Sequence, residues 1–112
     1  MKKPNLSYLD FGKLDLRVGE VKDASSVEKS KHLIKLTVDL GEDYGTVEIL
    51  SGLAPTYSSE DLIGNKYIVL ANLEPKQMMG LSSNGMILVA DDPEKFQLLP
   101  LDKKLKNGTV IR

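Results

Sequence analysis

The sequence predicts an all-β domain: a five-stranded Greek-key barrel with one short helix between the third and fourth strands. Three observations support this prediction. Apolar and polar residues alternate in two early segments, a helix-capping pattern follows the third segment, and two apolar runs then flank a long polar loop. A length of 112 residues suits one such domain with a single modest core.

The first half of the chain predicts three strands. Residues 14–18 alternate between apolar and charged side chains, which indicates a strand with one buried face. After Gly19 the apolar positions shift by one residue, so we expect a bulge or a sharp bend there. Residues 34–40 alternate in the same way, residues 41–45 form a glycine-containing turn, and residues 46–50 follow as the third strand.

The second half begins with a helix signal. Ser58 and Asp61 have the spacing of a capping box, and Gly64 ends the short helical segment. Residues 67–71 and 85–89 are near-continuous apolar runs that predict the fourth and fifth strands. The residues between these two strands predict a polar loop that contains methionines.

Three strands, one helix and two further strands is the element order of an OB-fold, with an SH3-like barrel as the structural alternative. The position of the helix favours the OB-fold. We therefore expect residues 1–112 to form a single OB-fold domain, in which residues 1–13 are an N-terminal extension and residues 91–112 a C-terminal extension.

The C-terminal extension has more apolar residues than a small barrel needs inside. We expect it to cover one side of the barrel and to help form a symmetric interface in a homodimer. The apolar residues concerned are Phe96, Leu98, Leu99, Leu101 and Leu105.

Composition and motifs argue against an enzyme, a disulfide scaffold and a membrane protein. The chain has no cysteine, and no run approaches the roughly 20 apolar residues of a membrane span. No leader-like segment follows Lys2 and Lys3, so we expect a cytoplasmic protein. The single histidine, His32, lies among lysines, and the acidic pairs 42–43 and 91–92 lie at turns. We expect no catalytic residue, no metal and no cofactor.

The formal net charge is -1, which by itself does not indicate a nucleic-acid partner. The distribution is uneven, because residues 1–37 carry eight basic and five acidic groups whereas residues 38–63 carry six acidic groups and no basic one. One positive face is enough to bind phosphates. Charge alone leaves an ordinary solvated surface as the simpler interpretation.

The loop of residues 72–86 is the candidate functional segment, because the corresponding loop of an OB-fold lines the ligand groove. Lys76 offers a phosphate contact, and Met86 or Met79 an adaptable apolar platform for an unstacked base. Asn72, Ser83 and Asn84 offer hydrogen bonds to bases or 2′-hydroxyls. The residues alone leave a second interpretation open, in which the methionine is a core residue and the polar side chains are turn formers.

The second predicted strand adds another candidate. Lys35 alternates with apolar neighbours, so its side chain should point outward from the barrel. We expect it to contact a phosphate.

Four local motifs resemble the tRNA-binding domain shared by methionyl-tRNA synthetase C-terminal extensions, free-standing tRNA-binding dimers and endothelial-monocyte-activating cytokine precursors. They occur in the order of that family and span nearly the whole chain. The motifs are residues 15–19 (DLRVG), 35–41 (KLTVDLG), 49–52 (ILSG) and the loop and strand of 72–88.

This resemblance implies a module that binds tRNA by shape without reading one anticodon, as a homodimer, next to or within a methionyl-tRNA synthetase. It places RNA contacts on Ser51, Asn72, Lys76, Ser83 and Met86. The same domain family includes chaperone-like dimers that capture peptides in an apolar cleft, and Met78, Met79 and Met86 would suit such a surface.

The sequence departs from the family pattern at three positions. Val47 stands where many members carry Arg, Ser82 where Glu is usual, and Asn84 where Gln is usual. The first change removes one possible phosphate contact, and the last shortens a side chain by one methylene group.

Overall fold

The computed structural model describes residues 1–112 and consists mainly of strands. Its two helices have four residues each, and neither has the length or apolar character needed to cross a membrane. The elements in chain order are α1 (Tyr8–Phe11), β1 (Leu16–Ser26), β2 (Ile34–Asp39), β3 (Thr46–Ser51), α2 (Ser59–Leu62), β4 (Lys66–Leu70), β5 (Lys76–Met78), β6 (Leu81–Ser83), β7 (Met86–Ile87), β8 (Val89–Asp91) and β9 (Phe96–Leu98).

A five-stranded antiparallel sheet in the order β3-β2-β1-β4-β7 forms the wall of the barrel. Strand β1 pairs with β4 through its first half and with β2 through its second half. The register shifts between Val21 and Asp23, which confirms the irregularity expected after Gly19. A Cβ at Gly19 would lie 2.7 Å from Val69 Cγ2 and 2.8 Å from Val38 Cγ1, so only glycine fits this position without repacking the core.

The barrel is nearly closed by contacts between β3 and the segment that joins β6 to β7. The Asn84 N–H donates to the Glu48 carbonyl at 2.9 Å, and the Leu50 N–H donates to Ser83 Oγ at 2.9 Å. The predicted OB-fold barrel and the helix between β3 and β4 are confirmed. At that helix the backbone N–H and hydroxyl of Ser58 both donate to the Asp61 carboxylate.

The core contains the residues that alternation places on the inner face. In β2, Ile34, Leu36 and Val38 are buried, whereas the three residues that alternate with them are half-buried. Buried side chains from β1, β3, α2, β4, β7, β9 and the connecting segments complete a cluster of 13 residues. The alternation of β2 therefore predicted its inward face correctly.

The segment predicted as a polar loop between the fourth and fifth strands contains a hairpin instead. Strands β5 and β6 pair through Met78 and Leu81, and Met79 and Gly80 connect them with φ angles of 50° and 77°. Positive φ at both positions is the geometry of a type I′ turn, for which Asn-Gly is the usual sequence. Met79 does not favour this turn, so the sequence carried no signal for the hairpin.

The predicted fifth strand is also shorter than residues 85–89. Strand β7 has only two residues, and the chain then continues into β8, which pairs with β9 in a separate hairpin. Phe96 and Leu98 of the C-terminal extension pack on the core in this hairpin, whereas Leu99 and Leu105 stay exposed.

The end of the chain lies along β1. Thr109 O accepts from the Val18 N–H at 2.9 Å, and the Ile111 N–H donates to Leu16 O at 2.8 Å. Gly41 and Gly108 approach so closely that a Cβ on Gly41 would lie 2.8 Å from Gly108 Cα. The C-terminal extension therefore completes the edge of β1 that neither β2 nor β4 covers.

Asn107 fastens this extension to the barrel. Its Nδ2 donates to Glu20 Oε1 at 2.9 Å and to Asp39 Oδ2 at 3.1 Å. The Asn107 hydrogen bond lowers the pKa of Glu20 below its usual value, and the charges of Lys22 and Lys66 lower it further. One amide group therefore bridges two carboxylates of neighbouring strands.

Replacing Asn107 by Asp adds a third carboxylate at this bridge. We expect the free energy of unfolding to fall by about 2 kcal/mol at pH 7, because like charges then replace two hydrogen bonds. In the folded variant, repulsion among the three carboxylates raises their pKa values. The loss in the free energy of unfolding should therefore become smaller as the pH falls through these raised pKa values toward about 4. Urea unfolding at several pH values measures this dependence. Asn5→Asp adds the same charge on the exposed N-terminal segment and should have little effect, whereas an Asn107→Asp deficit independent of pH would contradict the proposed repulsion.

Candidate nucleic-acid interface

The β5–β6 hairpin, the end of β3 and the start of β7 enclose a groove of about 420 Å³. We call it groove A. Its walls come from segments distant in sequence, which the closure of the barrel brings together. The lining residues are Leu50, Leu73, Glu74, Lys76, Met78, Ser83, Gly85 and Met86.

Ser83 forms part of the inner wall of groove A. It is only 5% exposed, and its hydroxyl accepts the hydrogen bond from the Leu50 N–H. The strand β3 has no neighbouring strand on this side to accept that N–H. The hydroxyl therefore satisfies a buried backbone donor that would otherwise have no partner.

Lys76 supplies the positive charge of groove A. It lies at the start of β5, directly opposite Ser83 in the hairpin, and its side chain is exposed. It forms no ion pair, although Glu74 lines the same groove. The Lys76 ammonium group is free to neutralise a phosphate.

The apolar part of groove A consists of long, flexible side chains. Met86 is 44% exposed and Leu73 is 43% exposed, while Met78 is half-buried beside them. Gly85 has a φ of 107°, and a Cβ there would lie 3.0 Å from Leu70 O. The chain thus carries an adaptable apolar surface that a planar base could stack on.

Asn72 and Asn84 already hold parts of the backbone. Asn72 Oδ1 accepts from the Asp15 N–H at 2.9 Å, and its Nδ2 donates to Lys13 O at 2.7 Å, which ties the start of β1 to the end of β4. Asn84 places its Nδ2 3.4 Å from Glu48 O. Neither these two residues nor Ser51, which pairs with Ile34 at the end of β3, line groove A.

Lys35 lies on the other side of the hairpin. It lines a second groove of about 360 Å³, which we call groove B, between the β1–β2 connection and the hairpin tip. Its Nζ is 3.6 Å from Glu48 Oε2 in an exposed ion pair. The structure therefore brings Lys76, Ser83 and Met86 together in groove A and places Lys35 apart from them.

Sequence reasoning did not identify Leu73, which also lines groove A, because an isolated leucine in a polar loop carries no signal of its own.

The most strongly coupled charges lie elsewhere and hold the fold. Arg17 forms hydrogen bonds to Asp15 and Asp43 and lies 5.0 Å from the Tyr44 ring centre. The Tyr44 hydroxyl in turn donates to Ala71 O at 2.9 Å. Hydrogen bonds to Asp15 and Asp43 raise the Arg17 pKa, and the bond from Arg17 lowers the Asp43 pKa. This cluster of Arg17, Asp43 and Tyr44 fixes the β2–β3 turn.

The structure has no group of three His, Asp or Glu side chains that is placed to hold a metal ion.

Comparison with known families and sequences identifies relatives of this chain. Residues 16–110 match the family described as "Putative tRNA binding domain". A methionine–tRNA ligase of Methanocaldococcus jannaschii is 47% identical over 100% of this chain, which spans 17% of that protein. A methionine–tRNA ligase of Methanosarcina mazei is 45% identical over 97% of this chain, which spans 15% of that protein.

Solved structures give the same architecture. A methionyl-tRNA-synthetase-related protein from Pyrococcus horikoshii superimposes with a TM-score of 0.92 and 32% identity, covering 98% of this chain and 100% of that one. The chaperone protein CsaA from Picrophilus torridus superimposes with a TM-score of 0.87 and 29% identity, covering 96% of this chain and 100% of that one.

Replacing Ser83 by Ala tests the wall of groove A. We expect a loss of about 1–3 kcal/mol in the free energy of unfolding, because the buried Leu50 N–H loses its acceptor. Ser82→Ala is the matched control, since the Ser82 hydroxyl forms no hydrogen bond, and it should change stability by less than about 0.5 kcal/mol. Urea unfolding of both variants provides the measurement. Equal stabilities would mean that the Ser83 hydroxyl does not support the barrel.

Proposed function

The chain belongs to the tRNA-binding domain family, and on this premise we propose that it is a non-catalytic module that binds tRNA by shape. The observation that carries the proposal is groove A, whose lining contains both the unpaired ammonium group of Lys76 and the exposed side chain of Met86. A cation next to an apolar platform suits a phosphate next to an unstacked base.

We assign the two kinds of RNA contact to different residues. Lys76 and Lys35 neutralise phosphates, and Met86 stacks against a base. Ser51 and Asn84 do not line groove A, but each directly follows a residue that does, and we assign them hydrogen bonds to ribose or base edges. Asn72 and Ser83 contribute by positioning the backbone, since their polar groups already bind Lys13, Asp15 and Leu50. None of these contacts requires one particular anticodon.

The chain spans 17% of the Methanocaldococcus jannaschii ligase and 15% of the Methanosarcina mazei ligase, and it aligns over 100% and 97% of its own length. We propose that it serves a methionyl-tRNA synthetase catalytic region in the cytoplasm. A tRNA held weakly by this module stays at a high effective concentration near that partner. Weak, unspecific binding is therefore sufficient for the function.

We further propose that the module is a homodimer. Helix α1 has no buried residue, and only Phe11 of its apolar side chains is partly covered by the chain. Tyr8 and Leu9 are 84% and 82% exposed, and Leu99 and Leu105 of the C-terminal extension are also exposed. A second copy would cover these apolar surfaces in a symmetric interface.

Sedimentation tests the dimer directly. At tens of micromolar, we expect the wild-type chain to sediment as a dimer. Replacing Tyr8 and Leu9 by Ser should shift the equilibrium toward monomer while the barrel stays folded, because neither residue packs on the core. Ser substitutions at exposed Lys2 and Lys3 serve as the control. A monomeric wild type would contradict the proposal.

Peptide binding is the second candidate function. The similarity to CsaA chaperone proteins and the exposed Met79 and Met86 favour it. Titration of each ligand alone shows which function the chain has, and competition shows whether the two share a site: a peptide that binds outside groove A should not displace a labelled tRNA at comparable concentration. Displacement of tRNA by the peptide would instead favour a shared peptide-binding groove.

A titration of bulk tRNA tests the proposed function. For the two phosphate contacts of Lys35 and Lys76, affinity should fall about 7- to 12-fold between 50 and 200 mM salt. Lys76→Ala should weaken binding several-fold for all tRNAs alike and reduce the salt slope by about one. Lys95→Ala removes the same charge from the acidic β8–β9 turn and should leave binding unchanged. A salt-independent affinity, or no binding at micromolar protein, would contradict the proposal.

A further inference from the structure

Groove B contains both non-glycine residues of the chain that have positive φ angles. Lys29 has a φ of 68° and Met79 a φ of 50°. Lys29 lies in the β1–β2 connection and Met79 at the tip of the β5–β6 hairpin, and both line groove B. Each of two separate turns thus contains one residue in a backbone conformation that its type disfavours, and the two residues lie on opposite sides of groove B.

Each turn would form more readily with another residue. The Ser30 N–H donates to Val27 O at 3.1 Å, so Lys29 is the third residue of a β-turn, where positive φ favours Gly or Asn. Met79 occupies the first central position of a type I′ turn, where Asn is favoured. Residues that adopt a backbone conformation disfavoured for their type occur often at functional surfaces.

Groove B, like groove A, has an apolar wall and a side that carries ammonium groups. Met79 and Leu81 form an apolar wall on the hairpin, and both are exposed. Lys29 and Lys35 provide two ammonium groups from the opposite side, against the single carboxylate of Glu28 in the lining. Ser25 and Ser26 provide hydroxyls at the end of β1. A phosphate would compete with Glu48 for Lys35, since that ion pair is exposed and long at 3.6 Å.

We infer that groove B is a second RNA subsite, which holds one unpaired nucleotide. Its base lies against Met79 and Leu81, and its phosphate lies between Lys29 and Lys35. The hairpin then separates two nucleotide subsites, and the bound strand passes over the hairpin from groove A to groove B. This inference rests on the proposed binding of tRNA and adds where a second nucleotide is held.

Asparagine substitutions test the subsite without weakening the fold. Lys29→Asn and Met79→Asn each introduce a residue that the turn prefers, so neither should lower the thermal unfolding midpoint. Each should weaken binding of bulk tRNA by about fivefold. Only Lys29→Asn should also reduce the salt slope by about one, because Met79 carries no charge. Lys95→Asn is the matched control and should bind as the wild type does.

A double-mutant cycle tests whether one nucleotide contacts both residues. In that case the Lys29→Asn/Met79→Asn variant should lose less affinity than the product of the two single losses. Lys29→Asn and Lys76→Ala affect separate subsites, so their losses should multiply.

Three results would overturn the inference. If Lys29→Asn and Met79→Asn bind as the wild type does while Lys76→Ala binds weakly, groove B is not a subsite and the proposed function stands. Fully multiplicative losses for Lys29 and Met79 would contradict a shared nucleotide. If the wild type binds no tRNA, the proposed function fails, and the second subsite fails with it.

Discussion

The close packing of Gly19 against the core is the constraint on which the rest of the structure depends. Without a side chain at this position, β1 can run directly over Val69 and Val38. One continuous strand can then pair with β4 along its first half and with β2 along its second half. Any larger residue would separate these strands from the core, and the C-terminal extension that pairs with the remaining edge of β1 would lose its support.

The incomplete closure of the barrel creates the candidate binding surface. Strand β3 reaches the β6–β7 segment through only a few hydrogen bonds, and one of these uses the Ser83 hydroxyl in place of a strand partner. The β5–β6 hairpin therefore projects beside the opening and separates groove A from groove B. The same geometry that satisfies the edge of β3 also exposes Lys76 and Met86 to a ligand.

Alternation was a reliable guide where one face of a strand meets the core and the other meets solvent. It identified β2 and its outward-pointing Lys35, and the capping box identified α2. It did not identify the β5–β6 hairpin, because Met79 adopts the left-handed conformation against its own preference. It also could not assign the polar side chains of the loop, since Asn72 and Ser83 bind backbone groups far away in the sequence.

The sequence by itself determined the barrel, the position of its helix and the identity of the loop that lines the groove, because periodicity and capping are local properties. Only the tertiary structure decided which loop residues line groove A and which hold the barrel together. It also brought Lys29 to the same groove as Met79, across about fifty residues of sequence. Such pairings depend on how the β1–β2 connection approaches the hairpin in space, and no local pattern encodes that approach.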